Sequence, residues 1–312
     1  MIRFLKKFYK FFIFIKVPKK IKKKFIILSD EYLNGIKESL LSNYFIGESS
    51  YCKEDLEDHI TGRINISRFK IIPWISREIG LDKKKLLEIG SGTGSSSVTF
   101  AEQGAIVTGL DVDKASLKVA SIRAELLNLD IKYLNLSATE IKNLNEQFDI
   151  VIYYATLEHM TTEERIYSLK QAWNALKNKG HLIVVEAPNR LWIEDTHTSE
   201  LPFFQWLPDN LAYLYSVKSN KQSFNSKYLD NEYLHMQQFL RRGRGVSFHE
   251  FELAFENLDK LQILGSLNRL VFSKGLINTF IYKKIYKMYI SKFVKHHKAF
   301  TEEYLDLIIV KD

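Results

Sequence analysis

The chain predicts an α/β fold: a doubly wound, Rossmann-like sheet of seven strands with an antiparallel last strand, N-terminal helices before it and a basic helical insertion ahead of that strand. Three observations predict it. Short apolar runs alternate with helical patterns from Leu86 onward, a glycine-rich turn joins the first run to the first helix, and 312 residues of which 46% are hydrophobic can bury a full core.

The first strand is the run Leu86, Leu87, Ile89, after which Gly90, Gly92 and Gly94 let the backbone turn tightly and approach a ligand that any Cβ would hold off. Residues 95–103 follow as a helix. A second strand over residues 105–110 ends at Asp111, whose short carboxylate can accept both hydroxyls of a ribose laid across the strand ends. A dinucleotide fingerprint needs its third glycine three residues after the second; here Gly94 comes two after Gly92 and position 95 is Ser. The pattern continues with a helix over residues 114–128, a third strand over 131–135 and a fourth over Phe148–Tyr154. A helix bearing Leu169, Ala172, Trp173 and Leu176 leads to the fifth strand within LKNKGHLIVVEAPNR. Residues 261–264 read as the sixth strand and Tyr304–Val310 as the seventh.

Glu88, Gly90, Gly92 and Gly94 resemble motif I, E-x-G-x-G-x-G, of the class I S-adenosylmethionine-dependent methyltransferases. Leu157-Glu158-His159, directly after the fourth strand, looks like the L-E-H signature of their small-molecule, ubiquinone-type branch, and the passage to Arg190 resembles their L-K-P-G-G-x-L-x-V-x-x-P-N-R segment. The resemblance implies S-adenosyl-L-methionine as cofactor, held by Glu88, Gly90, Ser91, Gly92, Gly94, Asp111, Val112, Ser137, Ala138 and Tyr154. Where the family usually places an acid against the adenine amino group, this chain has Ser137-Ala138-Thr139. Amino-group methylating relatives carry Asn or Asp before Pro-Pro-Tyr after the fourth strand; Tyr-Tyr-Ala-Thr stands here, which disfavours a base or glutamine acceptor.

Cys52 is the single cysteine, which excludes an internal disulfide and a four-cysteine zinc site, and it precedes the catalytic fold, away from where an RNA cytosine-5 methyltransferase would need it. Net charge is +8, and it is segregated. Residues 1–24 hold ten Lys or Arg and residues 266–300 hold eight, neither segment has an acid, and the rest sets 27 basic against 37 acidic residues. At helical phase Phe4, Leu5, Phe8, Phe11, Phe12 and Ile15 oppose Arg3, Lys6, Lys7 and Lys10, and Pro18 ends the helix. That is the design of an interfacial helix on an anionic membrane, although packing on the chain's own core fits the same pattern. The apolar run 11–15 is far shorter than the roughly 20 residues a bilayer span takes, and no signal-peptide cleavage pattern follows it. The expected organisation is a basic amphipathic segment (1–25), a helical region (26–80) and the methyltransferase domain (81–312), with a substrate-side insertion (188–247) and a basic helical insertion (266–300). The expected location is cytoplasmic, peripheral on the inner membrane face.

Substrate groups belong outside the carboxyl ends of the strands, which is where residues 188–247 start. Arg190, Trp192, Asp195 and Trp206 are the candidate acceptor contacts, with Phe203 and Phe204 either as pocket walls or as a small cluster under the loop. Arg241, Arg242 and Arg244 can grip an anion or form a solvated run. A hydroxyl acceptor needs a base, and His159 and His197 are the two candidates. Asp195, His197 and Glu200 offer metal-ligating atoms, but nothing in the spacing fixes three of them in space, and no metal is expected. The acceptor class is a small, lipidic or saccharide molecule, with O-methylation the outcome by family analogy. Two alternatives stay open: an RNA methyltransferase using its lysine-rich arms, and a non-catalytic cofactor-binding or scaffold module.

Overall fold

A computed structural model describes residues 25–45, 53–221, 233–255, 257–267 and 276–312. The amphipathic segment of residues 1–24 and Cys52 lie outside the described residues. Seven strands form one sheet in the order β3-β2-β1-β4-β5-β7-β6, namely β1 Lys85–Ile89, β2 Ile106–Asp111, β3 Lys132–Asn135, β4 Phe148–Tyr154, β5 Leu176–Pro188, β6 Gln262–Ser266 and β7 Tyr304–Val310. β1 pairs with β4 and β4 with β5 in parallel, whereas β7 runs antiparallel to both β5 and β6. The expected doubly wound sheet with an antiparallel last strand is what the chain forms, with strand ends within two residues of those read from the apolar runs. Strand order reverses between β1 and β4, so the loops leaving these two strands define the switch point at which open α/β sheets hold ligands.

The backbone contacts fall into two compact units. The first contains residues 25–84 with the helices α1 Asp30–Ser39, α2 Lys53–Glu57, α3 Arg63–Ile66 and α4 Ile72–Glu78, together with α5 Ser95–Glu102 and most of α6 Lys114–Leu126. Ser29 starts α1 by accepting from Tyr32 N–H, and Asp30 and Glu31 in its first turn with Lys37 in its last complement the helix dipole. Ile36, Leu40, Ile60 and Ile64 pack with Val98, Val119 and Leu127 into this unit's core. Through that core runs Arg123, fully buried in α6. Its guanidinium donates to the carbonyls of Thr93 (2.8 Å), His59 (2.8 Å) and Ile60 (3.4 Å), and also to the Tyr32 hydroxyl. Arg68, also buried, is paired with Glu102, which accepts from Ile26 N–H at 3.2 Å as well.

The second unit holds the rest of the sheet and the C-terminal half. Leu87 and Ile89 of β1, Val151 and Tyr153 of β4, Leu182 and Val184 of β5 and Leu307 and Ile309 of β7 share a core with α7 (Thr162–Ala175) and α10 (Phe248–Phe255). α7 is started by a capping box in which Thr161 and Glu164 satisfy each other's backbone N–H groups. Between β5 and α10 lie α8 (Asp209–Ser216) and α9 (Tyr233–Leu240), and α11 (Leu276–Ile290) stands between β6 and β7, where the basic insertion was expected.

Two outcomes follow for the first unit. Arg123→Leu removes the guanidinium donor from the carbonyls of Thr93 and His59, while Ile60 O keeps the Tyr32 hydroxyl; since each buried orphan costs about 1–3 kcal/mol, the variant loses about 3 kcal/mol in urea unfolding; an unchanged midpoint would show that water replaces the guanidinium. His59, buried beside Tyr44, Phe45 and Thr93, has its pKa lowered to about 3 by desolvation and then by the Arg63 and Arg123 charges. Its folded value lies below the ordinary 6.5, so as pH falls below 6.5 the unfolded chain takes a proton that the native ring refuses, and stability declines down to about pH 3. The slope from this group is at most about 1.4 kcal/mol per pH unit, and His59→Asn should flatten it in that window.

Candidate active site

The loop between β1 and α5 owes its shape to three glycines with left-handed backbones, Gly90 (φ +72°), Gly92 (φ +50°) and Gly94 (φ +77°). Gly90 and Ser91 both donate N–H to the Leu110 carbonyl (2.8 and 3.0 Å), closing the loop against the end of β2. A Cβ at Gly90 would stand 2.3 Å from Thr156 Cγ2, whereas a Cβ at Gly92 would meet no atom within 4 Å. Gly90 is glycine for packing; Gly92 faces open space of the kind a ligand fills. Ser91 Oγ is buried and makes no hydrogen bond among the described residues, a polar atom left for a ligand to satisfy. Gly94 caps α5, whose first-turn N–H groups open onto this loop.

Asp111 ends β2, and its Oδ1 accepts from Asp113 N–H at 2.9 Å. The bend after it is fixed by Asn135, whose Nδ2 donates to the carbonyls of Asp111 (3.0 Å) and Val112 (2.9 Å), leaving the Val112 side chain exposed. Glu88 is wholly buried and Tyr154 half-buried at the end of β4. Ser137 serves the backbone: its hydroxyl accepts from Thr139 N–H at 3.2 Å and, with Glu140, forms the capping box of the turn Ala138–Leu144, in which Ala138 is buried. A loop-capping serine explains why no acid is needed there for the fold.

After β4 the chain turns through Ala155, a non-glycine residue at φ +49°, into the short turn Leu157–His159. Left-handed backbone at a side-chain-bearing residue costs on the order of 1 kcal/mol and persists only where neighbours impose it. Here they are Thr156, whose Oγ1 donates to Ile89 O (3.0 Å) and Tyr154 O (2.9 Å), and Arg165. Arg165 is buried in α7 and donates to the carbonyls of Leu157 (2.6 Å), Glu158 (3.2 Å), Arg244 (2.9 Å) and Gly245 (3.1 Å) while pairing with Glu250. Thr156 and Arg165 escaped the sequence reading. The only hint was an arginine amid the apolar positions of α7.

The turn aims Glu158 inward. It is completely buried, and neither carboxylate oxygen accepts a hydrogen bond of good geometry. His197 Nε2 stands 3.2 Å from Glu158 Oε1 and His159 Nε2 stands 3.9 Å from it, so the carboxylate is held by charge contact and not by aligned donors. Burial pushes the Glu158 carboxyl up, but the two histidines outweigh burial and hold it below the ordinary range. His197 responds in the opposite sense: burial lowers it, and Glu158 with Glu186 and Asp195 raises it above the usual imidazole value. The other nitrogen of His159, Nδ1, donates to the Arg241 carbonyl at 2.8 Å.

Both candidate bases therefore flank one carboxylate, a meeting of residues 39 positions apart that spacing could not reveal. Glu158, His159 and His197 offer ligand atoms within 4.8 Å of one another and are the group among the described residues that could hold a metal ion. Of the three residues first considered for a metal, only His197 belongs to it. Asp195 is buried and accepts from the N–H groups of His197, Thr198 and Ser199 and from the Ser199 hydroxyl, so it builds the loop that presents His197. Glu200 faces Lys221 at 3.8 Å.

The remaining acceptor candidates separate. Arg190 is half-buried after β5 with its N–H on the Val246 carbonyl, and its guanidinium makes no hydrogen bond or ion pair among the described residues. Trp192 is buried, donates Nε1 to Thr301 O at 3.2 Å and packs edge-on against Tyr286 of α11. Trp206 is 46% exposed and lies edge-on to exposed Phe203, whereas Phe204 is buried with Ala212, Tyr213 and Phe239. That is the small cluster under the loop, and Trp206 is not a closed pocket wall. Two of the three arginines are structural: Arg241 pairs with Glu164 at 2.7 Å, and buried Arg244 holds the carbonyls of Phe204 and Leu207 and the Asp209 carboxylate.

Residues 86–180 match the methyltransferase domain family. A ubiquinone biosynthesis O-methyltransferase of Pseudomonas fluorescens is 36% identical over 90 residues, which are 28% of this chain and 39% of that protein. The same enzyme of Stutzerimonas stutzeri is 38% identical over the same share of each chain. The chain thus spans about 39% of the length of these curated relatives. Among solved structures, a magnesium protoporphyrin IX methyltransferase of Synechocystis with bound S-adenosylmethionine aligns at 19% identity over 54% of this chain and 80% of that one, with a TM-score of 0.39. With its glycine-rich loop and its carboxylate at the end of β2, the segment of residues 86–180 is similar to a methyltransferase domain.

Proposed function

We propose that the chain transfers a methyl group from S-adenosylmethionine to the oxygen of a small, lipidic or saccharide acceptor. The observation that carries this reading is the glycine-rich loop with left-handed backbones at Gly90, Gly92 and Gly94, an unpartnered Ser91 hydroxyl and open space at Gly92, in which Gly90 and Ser91 are bonded to the residue before Asp111. The cofactor supplies a sulfonium-bound methyl group, and displacement at that carbon asks of the protein chiefly that donor and acceptor be held in line in a dry site. Asp111 would hold the ribose hydroxyls, and exposed Val112 with the capped turn at Ser137 would meet the adenine. An acceptor hydroxyl must lose its proton. His197 suits that role better than His159, because Glu158 lies nearer to it and stabilises its charged form. With Nε2 turned to the carboxylate, Nδ1 is the nitrogen left to take the proton.

Support for an oxygen acceptor comes from the segment around Glu158 and from likeness to enzymes whose printed activity is O-methylation. The enzyme meets its acceptor at the cytoplasmic face of an anionic membrane, a reading supported by the lysine-rich, aromatic segment of residues 1–24. Transfer of a radiolabelled methyl group into fractionated extract tests the class: label in lipid or saccharide fits, and label mainly in RNA would overturn it.

Asp111→Ala should weaken S-adenosylhomocysteine binding by about 2–3 kcal/mol, or one to two decades, through loss of two buried hydroxyl bonds. Unchanged affinity by calorimetry would mean the pocket lies elsewhere. Gly92→Val should be worse, because it adds volume in the open space and strains a left-handed backbone. Deleting residues 1–24 should reduce binding to anionic vesicles by at least about tenfold at low salt while leaving cofactor affinity intact, and the binding should fade with salt over the Debye range. Equal sedimentation of the two forms would remove this segment from the membrane reading.

A further inference from the structure

Over residues 282–290, helix α11 turns one side to the protein and exposes the other among the described residues. On the inner side Lys283 Nζ lies 2.8 Å from both oxygens of buried Glu303, Lys287 pairs with Glu302, and Tyr286 donates its hydroxyl to the Leu191 carbonyl at 2.6 Å. On the outer side Ile285 is 61%, Tyr289 56% and Phe293 66% exposed, with Tyr282 and Met288 also open. Positions 282, 285 and 289 recur at helical spacing, and Phe293, in the turn after the helix, lies edge-on to Tyr289 with ring centroids 5.0 Å apart, so these side chains form one continuous stripe. Exposed large apolar groups in a row are a docking surface and not ordinary scatter.

The charge around the stripe identifies its occupant. Lys284, Lys292, Lys295 and Lys298 form no ion pair among the described residues, and residues 266–300 contain no acid. The two lysines that are neutralised are those that tie the helix to Glu302 and Glu303; the outward ones are left for an anionic surface. Aromatic rings flanked by unpaired lysines fit the boundary between phosphate headgroups and acyl chains. No helix among the described residues is long and apolar enough to cross a membrane, so α11 would lie in the surface plane.

We propose that the face of α11 made by Tyr282, Ile285 and Tyr289, with Phe293 in the turn that follows it, docks on an anionic lipid surface and that the docked helix braces the loop carrying His197. The brace is continuous in the structure. Glu303, held by Lys283, accepts from the Thr196 hydroxyl at 2.9 Å, Thr196 also meets the Tyr304 hydroxyl at 3.1 Å, and His197 is the next residue, with its ring edge-on to Tyr304. Trp192 lies under Tyr286. The same helix therefore touches the segment leaving β5 and, by this proposal, the bilayer, so an acceptor resident in the membrane need not cross water to reach Glu158 and His197. This deepens the membrane reading above, but it rests on a different segment and on observed exposure.

The test uses the full chain, with residues 1–24 intact, and flotation with vesicles of phosphatidylcholine containing phosphatidylglycerol. Ile285→Ser with Tyr289→Ser and Phe293→Ser removes the stripe at exposed positions and should lower the lipid-bound fraction by about tenfold or more, because two linked contacts bind far more tightly than one. Lys284→Glu with Lys292→Glu and Lys295→Glu should abolish the part of the binding that fades with salt. Unchanged circular dichroism and unchanged S-adenosylhomocysteine affinity verify the fold of both variants. Vesicle binding equal to the unsubstituted protein would overturn the proposal. So would a stripe variant that keeps its lipid binding but loses thermal stability, since the stripe would then be covered by the chain's own residues. Capture of RNA with no retention by vesicles would overturn it as well. Lipid binding is read without methyl transfer, so the docking surface stands or falls separately from the reaction assigned above.

Discussion

The site depends first on how backbone carbonyls that leave the sheet are satisfied. A strand that ends in a sharp turn strands its last oxygens away from the ladder, and buried oxygens of this kind must find donors. Arg165 supplies several at once. From one position in α7 it reaches the carbonyls of Leu157, Glu158, Arg244 and Gly245, so two loops far apart in the chain are held by one planar fork. With those oxygens fixed, Glu158 can be driven fully into the interior although its carboxylate lacks well-aligned donors there.

A buried carboxylate in such a position is costly unless charge is brought to it. Asp195 meets that requirement indirectly. By folding its own loop around three N–H groups it delivers His197 to 3.2 Å from Glu158, and each then shifts the other's pKa toward its charged form. The left-handed backbones of Ala155 and Glu186, at the ends of β4 and β5, mark where the chain is bent to make room for this arrangement.

Much of the fold was legible because it is written locally. Apolar runs of strand length and the glycines at Gly90, Gly92 and Gly94 each act within a few positions, so the strands and the glycine-rich loop could be read from the line of residues. What escaped was whatever depends on burying a charge. Arg123 and Arg165 look like solvent-facing arginines of helices, yet both are fully or nearly fully buried, because the oxygens that recruit them come from distant loops. The same cause turns Asp195 and Arg244 to the protein's own backbone: a short acid or a long cation in a loop has equal reason to satisfy it. Phe204 and Trp206, two positions apart, end up inside and outside because the turn Phe204–Trp206 carries them to opposite faces.

Gripping backbone oxygens has a consequence for substitution. An arginine that binds carbonyls grips the chain whatever side chains the gripped residues carry, so the hold of Arg165 on Leu157, Glu158, Arg244 and Gly245 does not itself depend on their identities. Substitution at a gripped position can then change what the loop presents while leaving the hold of Arg165 on the turn intact.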